Sequence, residues 1–251
     1  MKEFQKRVCY QIYPASFKDS NNDGWGDING IISKLDYLKE LGIGMIWLSP
    51  IYPSPMDDMG YDISDYKNIN PLFGTMDDFE NLVKEAKKKD ILIVLDLVIN
   101  HTSTEHRWFK EAQKQEPGNK YNDYYIFRKS TKKGKNPNNW QSCFSGDAWE
   151  PVKGLEDTYY MHLFCVSQAD LNYHNEDVIL EVEDILKFWL DKGVYGFRCD
   201  VINNIYKSSL KNDNPLLLYG RGAKYYANQE GMFQILARIR KEVLDNYDTF
   251  L

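Results

Sequence analysis

The chain has 251 residues, of which 43% are hydrophobic and 27% charged, and its formal net charge is -6. That length allows a substantial core, either as one large domain or as a domain with an insertion. The negative charge provides no electrostatic footprint for nucleic acid or an anionic membrane, so we expect neither as a partner.

The first residues contain no apolar signal-peptide core, and no run of ~18 uncharged apolar residues occurs. We therefore expect a cytoplasmic protein. The four cysteines are widely separated and form no CxxC pair, which favours free thiols.

Strands alternate with helices along most of the chain. Apolar runs predict strands over 8–13, 45–48, 91–98 and 193–197, and helical spacing predicts helices over 31–41, 79–89, 178–190 and 232–243. The alternation of strands and helices stops from about 102 to 175, where the sequence is polar and aromatic. We interpret this stretch as an inserted subdomain after the third strand. Four strand-helix units predict a parallel sheet with covering helices, either doubly wound or closed into a barrel.

Polar residues cluster where the third strand stops. Asp96, Asn100 and His101 follow a continuous apolar run that is typical of a buried parallel strand. A lone histidine there would more often be structural, but three polar residues together favour a site. A barrel builds its site at this end of its strands.

The fourth strand ends in Gly196-Phe197-Arg198-Cys199-Asp200-Val201. In an extended segment Arg198 and Asp200 point to the same side, so a guanidinium lies beside a carboxylate. Such a cation favours the ionised carboxylate, as a carboxylate nucleophile requires. By itself, this segment favours a structural ion pair at the end of a buried strand over a catalytic site.

The loop after the first strand carries oxygen side chains at the spacing of much of an EF-hand calcium loop. Glycine stands where the last glutamate should be, and a strand precedes the loop instead of a helix. It is therefore no EF-hand, but it predicts a hard cation, with Ca²⁺ favoured over Mg²⁺. The alternative is an Asx-rich turn without metal. The predicted ligands are Asp19, Asn21, Asp23, Trp25 through its carbonyl, and Asp27.

Three segments together resemble a known family. The segments 96–103 and 196–203 are similar to two signature regions of the α-amylase superfamily, glycoside hydrolase family 13, and 168–172 resembles the short motif of its oligo-1,6-glucosidase subfamily. Ala169 replaces the usual proline of that motif. The resemblance implies an N-terminal half of a (β/α)8 TIM barrel in the α/β class. About four βα units, at 1–101 and 176–251, would form the partial catalytic barrel, and 102–175 would be the insertion.

The resemblance also implies roles for individual residues. Asp200 matches the catalytic nucleophile and Arg198 the arginine beside it. Residues that match or resemble sugar-binding positions are Asp58, Tyr61, His101, Phe144, Phe164 and Gln168. The loop 19–27 resembles the family's calcium site.

The implied reaction is retaining hydrolysis of an α-glucosidic bond in a small oligosaccharide. Val201 resembles the residue of enzymes that prefer α-1,6 linkages, so isomaltose and isomalto-oligosaccharides are the leading substrates. The alternatives are trehalose-6-phosphate hydrolysis, α-1,4-glucosidase activity, sucrose isomerisation, or a non-enzymatic sugar-binding or transporter-associated role.

The family's general acid, just past the fifth strand, has no match in this sequence. Residues 248–251 look like the start of that strand, and Glu230 and Glu242 lie on a helix that a barrel places outside. We therefore expect a fragment that lacks turnover by itself. Its open sheet edges favour self-association, whereas a full-length enzyme would be monomeric.

Overall fold

The computed structural model describes residues 3–130, 132 and 134–251. Its strands are β1 (Val8–Ile12), β2 (Ile43–Leu48), β3 (Leu92–Leu97), β4 (His101–Ser103), β5 (Phe127–Lys129), β6 (Trp149–Pro151), β7 (Thr158–Met161), β8 (Gln168–Asp170) and β9 (Gly196–Cys199). Its α-helices are α1 (Pro14–Phe17), α2 (Ile28–Ser33), α3 (Leu35–Glu40), α4 (Met76–Lys88), α5 (Arg107–Ala112), α6 (Glu176–Asp191), α7 (Ala223–Tyr226) and α8 (Glu230–Glu242).

The largest sheet is parallel, with strand order β1-β2-β3-β9. Its strands follow one another in space in the order in which they occur in the chain, and helices lie in each crossover. The parallel sheet with covering helices is therefore confirmed. Its core includes the fully buried Ile46, Leu48, Phe79 and Trp189.

A fifth strand position begins at Phe250, as the sequence predicts. Phe250 forms a parallel bridge with Gly196, and the Phe197 amide donates to the Phe250 carbonyl at 3.1 Å. A Cβ atom on Gly196 would lie 2.8 Å from the Phe250 ring. Glycine at this position is what lets the next strand approach β9 closely.

Most predicted boundaries differ from the structure by one to three residues, and two of the differences have a clear physical cause. The helix expected over 31–41 is two helices, which meet at Lys34. The first begins earlier because the Asp27 carboxylate caps it by accepting from the Gly30 amide at 2.6 Å. The second part is separate because the Lys34 amide donates to both Ile31 and Ile32, which tightens the backbone there.

The fourth parallel strand begins at Gly196 and not at Gly193. Gly193 has φ +89° and ends α6 in the left-handed conformation. The next amide, of Val194, donates back to the Trp189 carbonyl at 3.2 Å. An apolar run that resembles a strand start is therefore a helix C-cap.

Two smaller sheets lie between His101 and Asp170. One pairs β4 with β8, and the other has strand order β5-β7-β6; both are antiparallel. A second apolar cluster includes Trp140 and side chains of β6 and β7, among them Trp149 and Met161. The limits of the insertion at 102 and 175 stay a prediction.

No helix in the described residues is long and apolar enough to cross a membrane. The four cysteines are all free, as predicted.

Candidate active site

The register of β3 against β9 brings the two predicted polar clusters together, because Asp96 lies directly opposite Arg198. Arg198 Nη1 donates to Asp200 Oδ1 at 2.7 Å and to Asp96 Oδ1 at 3.0 Å. The predicted adjacency of Arg198 and Asp200 is confirmed. One guanidinium nitrogen therefore serves two carboxylates.

Asp96 is completely buried, and its carboxylate accepts hydrogen bonds from three side chains. Besides Arg198, Trp47 Nε1 donates to its Oδ2 at 3.2 Å and the Tyr61 hydroxyl donates to the same atom at 3.0 Å. Burial raises the pKa of Asp96 to about 6, against the lowering effect of Arg198. The sequence marked Asp96 as part of a cluster, but it did not reveal that this residue shares Arg198 with Asp200.

A second group joins the loop after β2 to the insertion. His101 Nε2 lies 3.2 Å from the Tyr61 carbonyl and 3.1 Å from Gln168 Nε2. Gln168 Nε2 also donates to Asp58 Oδ2 at 2.8 Å. Burial lowers the pKa of His101, which favours the neutral ring, and burial raises the pKa of the half-buried Asp58.

Aromatic rings extend this group toward solvent. The ring of Phe164 is 5.3 Å from that of His101, and Phe144 is 5.5 Å from Phe164, centroid to centroid. Phe144 is 57% exposed, so it forms the outer rim. Hydrogen bonds and ring contacts thus link all eight residues that the sequence singled out for catalysis or substrate binding: Asp58, Tyr61, His101, Phe144, Phe164, Gln168, Arg198 and Asp200.

Backbone geometry also fixes the position of Asp200. Its amide donates to the Leu97 carbonyl at 3.0 Å, which holds it against β3. The next residue, Val201, has φ +37°. A β-branched residue in the left-handed region is strained and persists only where its surroundings hold it. The chain therefore turns sharply immediately after the Asp200 carboxylate.

Beneath His101 lies a buried ionic network that the sequence did not reveal. Lys207 Nζ lies 2.6 Å from Asp170 Oδ2 and donates to Asn100 Oδ1 at 3.0 Å. The Lys207 side chain is 2% exposed and that of Asp170 is fully buried. Lys207 lies in an irregular segment after β9, where neither spacing nor composition marks it as functional.

The loop proposed to hold a metal is organised by its own hydrogen bonds. Asp19 accepts from the backbone amides of Asn21, Asn22 and Gly24, and these bonds, above all the one from Gly24, lower its pKa. Asp27 is occupied by Ser20 and by the cap of α2. Within the described ranges, no three His, Cys, Asp or Glu side chains converge on one metal position. The oxygen chemistry suits a hard cation, but the helix cap engages Asp27 elsewhere.

Comparison with known proteins finds relatives of this chain among glycoside-processing enzymes. The model of the α-amylase catalytic domain matches residues 11–251. The oligo-1,6-glucosidase of Parageobacillus thermoglucosidasius is 53% identical over 98% of this chain, and the trehalose-6-phosphate hydrolase of Bacillus subtilis is 48% identical over 98%. The match covers 44% of the first relative and 43% of the second, so the chain spans less than half their length.

Solved structures agree with this fold. The trehalose-6-phosphate hydrolase of Bacillus licheniformis superimposes with a TM-score of 0.94 at 48% identity, covering 100% of this chain and 44% of that one. The isomaltulose synthase of Klebsiella sp. LX3 gives 0.94 at 42% identity, covering 99% and 44%. The predicted N-terminal half of a TIM barrel is thereby confirmed.

Proposed function

The chain belongs to the α-amylase family, and from that premise we propose that it forms the N-terminal part of a retaining α-glucosidase that acts on α-1,6-linked gluco-oligosaccharides. The observation that carries the proposal is the arrangement of Arg198 between Asp96 and Asp200 at the ends of two neighbouring parallel strands. Similarity to oligo-1,6-glucosidases supports the choice of substrate.

In the proposed reaction Asp200 attacks the anomeric carbon, the glycosidic C–O bond breaks, and the leaving sugar departs with a proton from a general acid. Water then hydrolyses the glucosyl ester and releases Asp200 as the carboxylate. Arg198 holds the Asp200 carboxylate in place through Oδ1 and keeps positive charge beside it. Val201 and the Leu97 carbonyl fix the strand end, so the carboxylate is held in one direction. This is preorganisation of a nucleophile by backbone and charge.

The sugar would be held by the second group of residues. His101, Gln168 and Asp58 present polar atoms to its hydroxyls, and Tyr61 offers a ring on which it stacks. Phe164 and Phe144 would line the outer part of the pocket, where the leaving sugar sits. Their ring contacts with one another and with His101 support this placement.

A retaining mechanism also needs an acid about 5 to 5.5 Å from the nucleophile. Asp96 is fully buried and Asp58 is bound by Gln168, so neither is free to protonate a leaving oxygen. Glu230 and Glu242 are exposed on α8. We therefore propose that the acid is not among these 251 residues, and that this chain alone releases no glucose.

The test is glucose release from isomaltose, maltose and trehalose-6-phosphate. The longest natural polypeptide that carries this sequence and the 251-residue chain are compared, each as wild type, as Asp200→Asn and as Val201→Thr. We expect turnover only in the longer protein, strongest on isomaltose, abolished by Asp200→Asn and shifted toward maltose by Val201→Thr. Preference for trehalose-6-phosphate would favour a second candidate function, hydrolysis of trehalose-6-phosphate. The similarity to trehalose-6-phosphate hydrolases supports this candidate.

We further propose that the loop 19–27 binds Ca²⁺ as a structural ion, through Asp19, Asn21, Asp23, the Trp25 carbonyl and Asp27. Asp27 would contribute Oδ2, which accepts from the Ser20 amide, while its Oδ1 caps α2. Bound to the folded state alone, it would stabilise by about 2.7 kcal/mol at a hundredfold excess over its dissociation constant. A thermal melt with and without Ca²⁺ tests this, with Asp19→Asn as the variant that loses the response. Equal melting temperatures for the wild type would contradict it.

The remaining expectations concern location and partners. We propose a cytoplasmic enzyme that binds small oligosaccharides. We also propose that it binds neither nucleic acid nor membrane, and the net charge of -6 supports this second proposal. Cell fractionation with an antibody against this chain is the direct check.

A further inference from the structure

Four buried polar side chains form a continuous chain from the segment after β9 to the proposed sugar pocket. We call Lys207, Asp170, Asn100 and His101 the lysine relay. All four residues are at most 4% exposed, and they lie on three different parts of the fold. The proposed reaction gives a role only to His101.

The donors and acceptors of the lysine relay can be assigned in one way, starting from the Lys207 ammonium. The Lys207 ammonium can only donate, so the Asn100 atom 3.0 Å from it must be the amide oxygen. The Asn100 nitrogen is then turned toward the other side, where it lies 3.3 Å from Asp170 Oδ2 and 3.2 Å from His101 Nδ1. An amide nitrogen also only donates, so His101 Nδ1 must accept.

The contacts on the pocket side of the His101 ring do not determine which ring nitrogen carries the proton. His101 Nε2 lies 3.2 Å from the Tyr61 carbonyl, which only accepts, and 3.1 Å from Gln168 Nε2, which only donates. The Gln168 amide is itself fixed, because its oxygen accepts from the Cys165 amide at 2.8 Å. The Tyr61 carbonyl favours a protonated Nε2, whereas Gln168 favours an unprotonated one. The lysine relay on the other side of the ring therefore determines where the proton lies.

We propose that Lys207 is a positioning residue that holds His101 as the neutral ring with its proton on Nε2. The ammonium orients the Asn100 amide, and the amide leaves Nδ1 no partner for a proton of its own. A proton on Nδ1 would place two donors against each other across 3.2 Å, whereas a proton on Nε2 has the Tyr61 carbonyl as its acceptor and leaves Gln168 Nε2 its bond to Asp58. Asp170 completes the relay by neutralising the buried ammonium at 2.6 Å.

The consequence rests on the proposed function, in which His101 faces the sugar. With the proton on Nε2, the atom that faces the pocket is a hydrogen-bond donor, and it suits a hydroxyl oxygen that accepts. A bare Nε2 would accept instead and would bind the same hydroxyl in another orientation. Lys207 would therefore select how the sugar is held without touching it.

The experiment is nitrogen NMR of the histidine rings in the ¹⁵N-labelled longest natural polypeptide that carries this sequence, at neutral pH. Protonated and unprotonated ring nitrogens have well-separated shifts, and comparison with His101→Asn identifies the signals of His101. We expect a protonated Nε2 and an unprotonated Nδ1 for His101. Nδ1 protonation or a charged ring in the wild-type chain overturns the proposal, whether or not the protein is a glucosidase.

Two variants test the relay itself. Lys207→Arg still presents only donors and is expected to keep the Nε2 proton. Asn100→Asp replaces the donor beside Nδ1 with an acceptor of the same shape, and it is expected to move the proton to Nδ1 or to add a second one. Circular dichroism confirms that each variant is folded. A folded Asn100→Asp chain that keeps Nδ1 unprotonated overturns the proposal, because the amide would then not set the tautomer.

Discussion

At the ends of β3 and β9 one arginine nitrogen holds two carboxylates, of which Asp96 is fully buried and Asp200 is partly exposed. The period of a strand predicts that Arg198 and Asp200 share a side, because that relation is local. The contact between Arg198 and Asp96 depends on the register between strands 102 residues apart in the chain, which no local pattern encodes. For the same reason Lys207 could not be predicted, since its partners come from two other segments.

Asp96 predicts a measurable dependence of stability on pH. Its pKa is raised from 3.8 to about 6 in the folded chain, so the folded state binds this proton more tightly than the unfolded state. The resulting stabilisation is full below about pH 4 and is lost as pH rises to about 6, by up to roughly 3 kcal/mol. The Asp96→Asn variant lacks this carboxyl and therefore lacks this pH-dependent part of the stability. The wild type should therefore lose stability relative to the variant across this window.

Urea unfolding at pH 4 and pH 6.5 measures the effect. Asp57→Asn, an exposed carboxylate in the loop after β2, serves as the control for loss of one negative charge. A constant difference between the wild type and Asp96→Asn at both pH values would show that burial does not govern this carboxyl.

At the scale of elements, the local signals located the helices and strands more accurately than their ends, and α4 begins three residues before its predicted start. The helix α4 was predictable from its apolar spacing and its lysine-rich end, and the structure adds a capping box between Thr75 and Asp78. The start of β9 was missed because Gly193 belongs to the preceding helix through its backbone conformation. The three-residue strands β4 and β8 have no periodicity to detect, since their pairing places His101 opposite Asp170 by tertiary contact.

The capping box makes a direct prediction about α4. The Thr75 side chain accepts from the Asp78 amide at 3.2 Å, and the Asp78 carboxylate accepts from the Thr75 amide at 2.8 Å. Thr75→Ala leaves these end groups poorly satisfied and should lower the free energy of unfolding by about 1 kcal/mol. Urea midpoints measure this, with Thr104→Ala, outside any helix cap, as the matched change. Equal losses in both variants would contradict the role of the cap.

For the whole molecule, the order of parallel strands decides the architecture. The alternation of strands and helices predicted a parallel sheet but left a doubly wound sheet and a barrel open, because both have the same local pattern. The observed spatial order follows the chain order, with Phe250 beginning a fifth position beside β9. In the described part of the chain β1 pairs only with β2, and its Val8 is 61% exposed.

An open edge of this kind predicts self-association of the isolated chain. Sedimentation velocity over a range of concentrations should show a rising average mass for the wild type. Val8→Lys places a charge on the β1 edge and should shift association to higher concentration. A single monomeric species at every concentration would contradict this expectation.

The central claim is that Asp200 is the nucleophile that Arg198 positions. A fluorinated α-glucosyl fluoride tests it most directly, because fluoride departs without help from an acid and the ester with the enzyme accumulates. The longest natural polypeptide that carries this sequence is treated with the reagent, digested and analysed by mass spectrometry. We predict one glucosyl label, on the peptide that contains Asp200, and none in Asp200→Asn. A label on Asp96 or Asp58, or undiminished labelling of Asp200→Asn, would contradict the account.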